Sequence, residues 1–312
     1  MLSGTVARLA VLLLCGALGC AGRRLATAPE LSPAHPSQAA VAAAVVDAGP
    51  AQSPALDQGD AGAKTDGPRV ASETNPPEAT QAACPVGMKH VTFDYCPEQT
   101  RRCVDKEYDK PNHITICNRF AEEKPQCHAP RVALDFCIDE FEYPNRAGAK
   151  PPVMLNFYEA SGLCAAEQKR LCYESEWVTA CEGPDEKPFP YGYVRSSERC
   201  NFDNRWVDPH LDRLYAKDPA AQRAELARLD RSQPSGQKAS CVSDYGVYDL
   251  TGNVDEWALA DHDRPRERAK FAALKGGAWG HVRNACRPVT TSHVPEFRYY
   301  FIGFRCCADP RL

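Results

Sequence analysis

The chain contains no Cys-X-X-Cys, although it carries sixteen cysteines in 312 residues. That absence argues against zinc or iron-sulfur centres, whose ligands usually include such close pairs. Basic residues are not in excess either: 37 Lys and Arg face 41 Asp and Glu, for a formal charge of −4. The chain therefore has no electrostatic footprint for nucleic acid. Past the first twenty residues no apolar run is long enough for a membrane-spanning helix. A glycine-flanked serine elbow, a phosphate-cradling loop, a zinc-protease motif and any His-X-X-X-His are all missing, so none of those chemistries has its usual residues.

What is present begins with an export signal. Arg8 precedes the apolar run 9–14, and Gly16-Ala17-Leu18-Gly19 leads to Cys20. The run is too short to span a bilayer, and small residues before a cysteine fit a bacterial lipobox, with Cys20 acylated as the mature N-terminus. An ordinary cleaved signal is the alternative. Residues 1–20 are thus expected to be a lipoprotein signal peptide, with Ala21 favouring the outer membrane of the cell envelope. Residues 21–83 are rich in Ala, Pro, Ser, Asp and Gly with hardly an aromatic. Such a segment cannot bury enough surface to offset its ordering entropy. It is expected to be a disordered tether with an end-to-end distance of about 40–50 Å.

Setting aside Cys15 and Cys20, fourteen cysteines remain, all between Cys84 and Cys307. An even number in an oxidising compartment reads as a disulfide framework of up to seven bridges, with connectivity left open. Residues 84–308 are long enough for one domain with a substantial core. Within it, 84–130 is a cysteine-rich part of short strands and loops. Alternation over Phe136-Cys137-Ile138-Asp139-Glu140-Phe141 predicts a strand. Phe157, Ala160 and Cys164 share one helical face, and Ser175 is placed to cap a second helix carrying Trp177, Val178 and Cys181. Residues 208–236 read as a surface insertion with a helix near 219–229, where Leu226 and Leu229 stand at i, i+3.

Five blocks recur in order: Arg170-Leu171-Cys172 through Trp177, Phe189-Pro190-Tyr191-Gly192, Gly246-Val247-Tyr248-Asp249-Leu250 through Trp257, Lys275-Gly276-Gly277-Ala278-Trp279, and Gly303-Phe304-Arg305. Together they resemble the formylglycine-generating enzyme (sulfatase-modifying factor) family. The resemblance implies a loop-rich α+β fold related to C-type lectins, stapled here by disulfides.

The resemblance also implies two metal sites. A structural calcium ion would take Asp249, the carbonyls of Gly252 and Val254, and Glu256, because a hard cation collects oxygens from carboxylates around a tight turn. The alternative is that Asp249 and Glu256 cap turns and face water. Asn201 matches a second family calcium position. The catalytic site uses two cysteines five residues apart to hold copper(I), whose softness suits thiolates. Those positions fall on His281 and Cys286, so one thiolate is missing and copper is not expected. Cys286 is then expected in a disulfide with Cys306 or Cys307. Arg305 is expected to be structural, Arg287 is open between groove and support, and Trp177, Trp257 and Trp279 read as core anchors.

The resulting expectation is an exported, lipid-anchored family member without the complete catalytic pair, which binds a ligand or protein at the envelope. A metal-dependent oxidoreductase acting on a cysteine peptide or small thiol is the second reading, and a purely architectural protein the third. The state of the Cys286 thiol discriminates the first two.

Overall fold

The computed structural model describes residues 83–110, 113–280 and 283–311. Cys20, the tether and His281 lie outside the described residues. The strands are β1 (Met88–Tyr95), β2 (Gln99–Thr100), β3 (Cys103–Asp109), β4 (Ile114–Phe120), β5 (Gln126–Cys127), β6 (Val132–Asp139), β7 (Arg170–Leu171), β8 (Asp255–Arg264), β9 (Lys270–Lys275), β10 (Val289–Thr290), β11 (Ile302–Phe304) and β12 (Cys306–Ala308). The helices are α1 (Phe157–Ala166), α2 (Glu174–Glu182), α3 (Leu211–Leu214) and α4 (Pro219–Leu229). This is a loop-rich α+β domain.

Two four-stranded sheets carry the core. One runs β1-β6-β12-β7, all antiparallel, and the other β10-β9-β8-β11, with β11 parallel to β8. The last strands β11 and β12 are separated by Arg305 alone, so the chain passes from one sheet to the other at that residue. α2 packs between them, against β1 and β6 on one side and β8 and β9 on the other.

α1 begins where Asn156 accepts from the Glu159 amide while the Glu159 carboxylate accepts from the Asn156 amide, a reciprocal cap. It buries Phe157, Ala160 and Cys164, the face read from the sequence. The start of α2 departs from expectation. Tyr173 is its N-cap, and Ser175 is itself held, through both its amide and hydroxyl, by Asp261 of β8. A carboxylate at a helix N-terminus satisfies orphan N–H groups as well as a capping serine does, and only tertiary structure could bring one from 86 residues away.

The helix of the insertion forms at α4, with Asp218 capping Ala220 and Pro219 at its first position. It is less superficial than expected. Leu229 of α4 and Leu214 of α3 are buried in the same core cluster as Trp257 and Phe304, and Leu226 packs against it, so Leu226 and Leu229 dock the insertion onto the domain.

All fourteen cysteines are bridged: Cys84–Cys137, Cys96–Cys127, Cys103–Cys117, Cys164–Cys306, Cys172–Cys307, Cys181–Cys286 and Cys200–Cys241. Neighbouring residues of a strand point to opposite faces. Cys306 accordingly joins the core cluster of α1, and Cys307 that of α2. Seven disulfides belong to an exported or extracellular protein. Among the described residues no helix is long and apolar enough to cross a membrane.

Candidate functional site

The block from Asp249 to Trp257 folds into a tight turn that feeds β8, and it is buried throughout. Gly252 has φ +85°, and a Cβ there would run into the carbonyl of Asn201, so the turn requires glycine. Asn253, also at positive φ, donates from Nδ2 to Glu142 at 2.7 Å and to the Gln233 carbonyl at 3.1 Å, and its Oδ1 accepts from Asn201 and from the Gln233 amide. Asn201 is therefore part of this hydrogen-bond network.

Glu256 faces the junction of the sheets. Its carboxylate accepts two bonds of 2.7 Å from Arg305, through Nε and Nη2, and a third of 2.8 Å from the Trp177 indole. Arg305 also donates to the carbonyls of Tyr248 and Asp139, so one guanidinium ties together both sheets and the Asp249 turn. Asp249 accepts from the Gly236 amide at 2.7 Å. Glu142 accepts from Ser235, Asn253 and the Val254 amide.

The alternative of solvated surface carboxylates is thus excluded by burial: Asp249 is 4 % and Glu256 0 % exposed. As a calcium site the donor set fits in charge, since Glu142, Asp249 and Glu256 surround the single guanidinium of Arg305. The coordination is not preformed. The Glu256 oxygens are occupied by Arg305 and Trp177, and among the described residues no three His, Cys, Asp or Glu side chains converge to hold a metal.

Burial, by removing hydration, pushes Glu142 well above the usual carboxylate range, Asp249 up to about 6 and Asp255 up to about 7. A carboxyl whose folded pKa is raised binds more protons folded than unfolded. Stability therefore falls as pH climbs from about 4 through these values. Lys275, 2 % exposed, has the opposite effect: burial lowers it to about 8. Between there and about 10.4 the unfolded chain binds more protons, and stability rises with pH. The melting temperature is expected to be higher at about pH 5 than at about pH 7.5, with partial recovery above about pH 8. Asp255→Asn should reduce the first limb and Lys275→Met remove the second. A wild-type melt that rises steadily from pH 5 to 7.5 would refute this assignment.

Of the second candidate pair, only Cys286 lies among the described residues, on the loop between β9 and β10. Cys286 is 0 % exposed and bridged to Cys181 of α2. The expected partners Cys306 and Cys307 are taken by Cys164 and Cys172, one on each face of β12. Next to it Arg287 makes two bonds of 2.8 Å to Glu182 and a third to the Cys96 carbonyl, which places it in support of the loop. Arg298 pairs with Glu159 at the surface. Trp177, Trp257 and Trp279 are buried, and the first two indoles donate to Glu256 and to the Leu155 carbonyl.

Sequence reasoning missed Glu142, Asn253 and Lys275. Glu142 lies in the turn after β6 with no motif around it. Lys275 opens a glycine block whose lysine, read alone, belongs at the surface; it is held over the Trp177 ring at 5.4 Å and donates to the Arg287 carbonyl.

The chain is 26 % identical over 170 residues to the inactive C-alpha-formylglycine-generating enzyme 2 of Bos taurus, covering 51 % of this chain and 50 % of that protein. It is 24 % identical over 180 residues to the formylglycine-generating enzyme of Mus musculus, covering 51 % and 44 %. The chain thus spans about half the length of the curated relatives it matches. Among solved structures, CarF aligns over 72 % of this chain and 98 % of its own, at 14 % identity and a TM-score of 0.41. Residues 92–310 match the sulfatase-modifying factor enzyme 1-like domain, and with the Asp249–Trp257 turn, the glycine block and the terminal Gly303-Phe304-Arg305 all built into one core, the chain belongs to the FGE-sulfatase family.

Proposed function

We propose that this protein is an exported, lipid-anchored member of the family that binds its ligand at the cell envelope without converting it. One observation carries the reading: Cys286, the second of the two positions where the family places copper-binding thiolates, is a buried disulfide with Cys181. The first position is His281. A disulfide sulfur is neither a nucleophile nor a thiolate ligand, so the residues do not fit copper(I). The purified protein, given a sulfatase-type cysteine peptide with copper and reductant, is expected to form no formylglycine by mass spectrometry. Copper-dependent turnover that disappears in Cys286→Ser would replace this reading with the oxidoreductase.

The anchor rests on residues 9–20 ending in Cys20. Cys20→Ala is expected to abolish fatty-acid labelling and release the protein from membranes, and a wild type that takes up no label would remove the anchor from the proposal. Structural calcium at Asp249, Gly252, Val254 and Glu256 is proposed on charge, and it requires the ion to displace Arg305 and Trp177 from the Glu256 oxygens. Added calcium should then raise the melt, by about 2.7 kcal/mol of stability at a hundredfold excess over Kd, and more at about pH 7.5 than at about pH 5 because protons compete. A melt indifferent to calcium and chelator at both values would exclude the site.

A further inference from the structure

The cysteine-rich segment builds a cavity with the loop that follows Cys286. Its volume is about 400 Å3, and Phe120, Pro188, Pro288 and Val289 make much of its wall. The polar residues on it are Gln99, Arg101, Glu182 and Arg287. Their hydrogen bonding is uneven. Glu182 is fully engaged, by Arg287 through two bonds and by Gln99 Nε2 at 2.9 Å. Because the Gln99 amide nitrogen must face that carboxylate, its orientation is fixed, and the Oε1 left over is buried with no partner.

Arg101 is the less satisfied group. Its Nη1 reaches only the Glu123 carbonyl, at 3.4 Å, and the guanidinium lies 5.9 Å over the Tyr193 ring. Its Nη2 is buried with no hydrogen-bond partner, and among the described residues no carboxylate forms an ion pair with it. With Arg287 neutralised by Glu182, the cavity wall holds one unbalanced positive charge. Burial disfavours that charge and lowers the Arg101 pKa. Arg101 is half-buried and its Nη2 is the buried atom, and an unsatisfied buried donor in a native fold calls for an explanation. Gln99 and Arg101 stand two residues apart at and just past the short strand β2, so they project to the same side with backbones about 7 Å apart. A cationic donor and a neutral acceptor thus flank one apolar space.

We propose that this cavity binds a carboxylate carried on a compact apolar group, the chemistry of an apolar peptide C-terminus or a small fatty acid. Small side-chain rotations aim Arg101 at the carboxylate, and the planar guanidinium pairs with it bidentately. Gln99 Oε1 accepts an N–H, which a peptide C-terminus carries on the carbon bearing its carboxylate and a fatty acid lacks. Phe120 and Val289 cover the apolar part. This deepens the ligand-binding reading and rests on it, but the test below reads occupancy of the cavity. Its failure would leave the turnover result untouched.

The test uses the full-length protein and titrates N-acetyl-leucine, N-acetyl-leucinamide and octanoate by calorimetry and ligand-observed NMR. N-acetyl-leucine is expected to saturate, the uncharged amide to bind at least about tenfold more weakly, and Arg101→Gln to weaken the acid by a similar factor. Val289→Trp, which fills the apolar space and leaves Arg101 in place, should abolish binding, with wild-type melts for both variants showing that the fold is kept. Octanoate binding as tightly as N-acetyl-leucine supports the free acid as the source, and weaker octanoate supports the peptide terminus. The proposal is overturned if neither acid saturates, if the amide binds as well as the acid, or if Arg101→Gln and Val289→Trp both bind like wild type.

Discussion

Arg305→Met is expected to destabilise the domain by about 3–5 kcal/mol, measured by denaturant unfolding with the disulfides intact. The guanidinium is 1 % exposed and makes four hydrogen bonds to Glu256 and to the Asp139 and Tyr248 carbonyls. Methionine fills much of the volume and returns none of them. The larger consequence is electrostatic, since Glu256, Glu142 and Asp249 would then share a buried space with no cation, and removing one partner of a buried pair leaves the other charge uncompensated. Two controls separate this from lost packing. Arg305→Met with Glu256→Gln should be less destabilised than Arg305→Met alone, because the orphaned charge is gone. The loss should also shrink from about pH 7.5 to about pH 5, as the stranded carboxylates take up protons. A single variant within about 1 kcal/mol of wild type, with no pH dependence, would mean that Arg305 does not hold the sheets together.

The residues that make this junction were unequally visible in the sequence. Arg305 and Glu256 stood in blocks whose family resemblance marked them, and helical periodicity placed Phe157, Ala160 and Cys164 on the buried face of α1. Such local patterns survive folding because one short segment contains them whole. Glu142 and Asp261 did not show, because each acts on residues far away in the chain, with separations of 111 for Glu142 to Asn253 and 86 for Asp261 to Ser175. The cysteines illustrate both cases. Their even number and the oxidising compartment implied the framework, but the partner of Cys286 depends on which face of β12 each of Cys306 and Cys307 occupies, and on where α2 packs. Asp249 and Glu256 were legible as a cluster and illegible as to what they contact, since Arg305 is 49 positions from Glu256.

Removing the Cys181–Cys286 bridge by paired alanine substitution is expected to cost about 3–4 kcal/mol. The sequence separation of 105 overstates the loop it closes. Cys172–Cys307 already joins the flanking segments, so the unfolded chain with that bridge intact is closed over only about 30 residues, from Cys172 to Cys181 and from Cys286 to Cys307. A loss near 5 kcal/mol or more would indicate native strain or lost packing beyond chain entropy. The same bridge is expected to decide copper binding. Copper(I) binding, followed by competition with a chromogenic chelator, is expected to be absent in wild type and in His281→Cys, because the thiol introduced at 281 finds Cys286 oxidised. In His281→Cys with Cys181→Ala both family positions carry free thiols, and copper(I) binding is expected to appear, since two soft ligands are then available. Copper binding by His281→Cys alone, with the Cys181–Cys286 bridge shown intact by peptide mapping, would detach metal affinity from Cys286 and overturn this expectation.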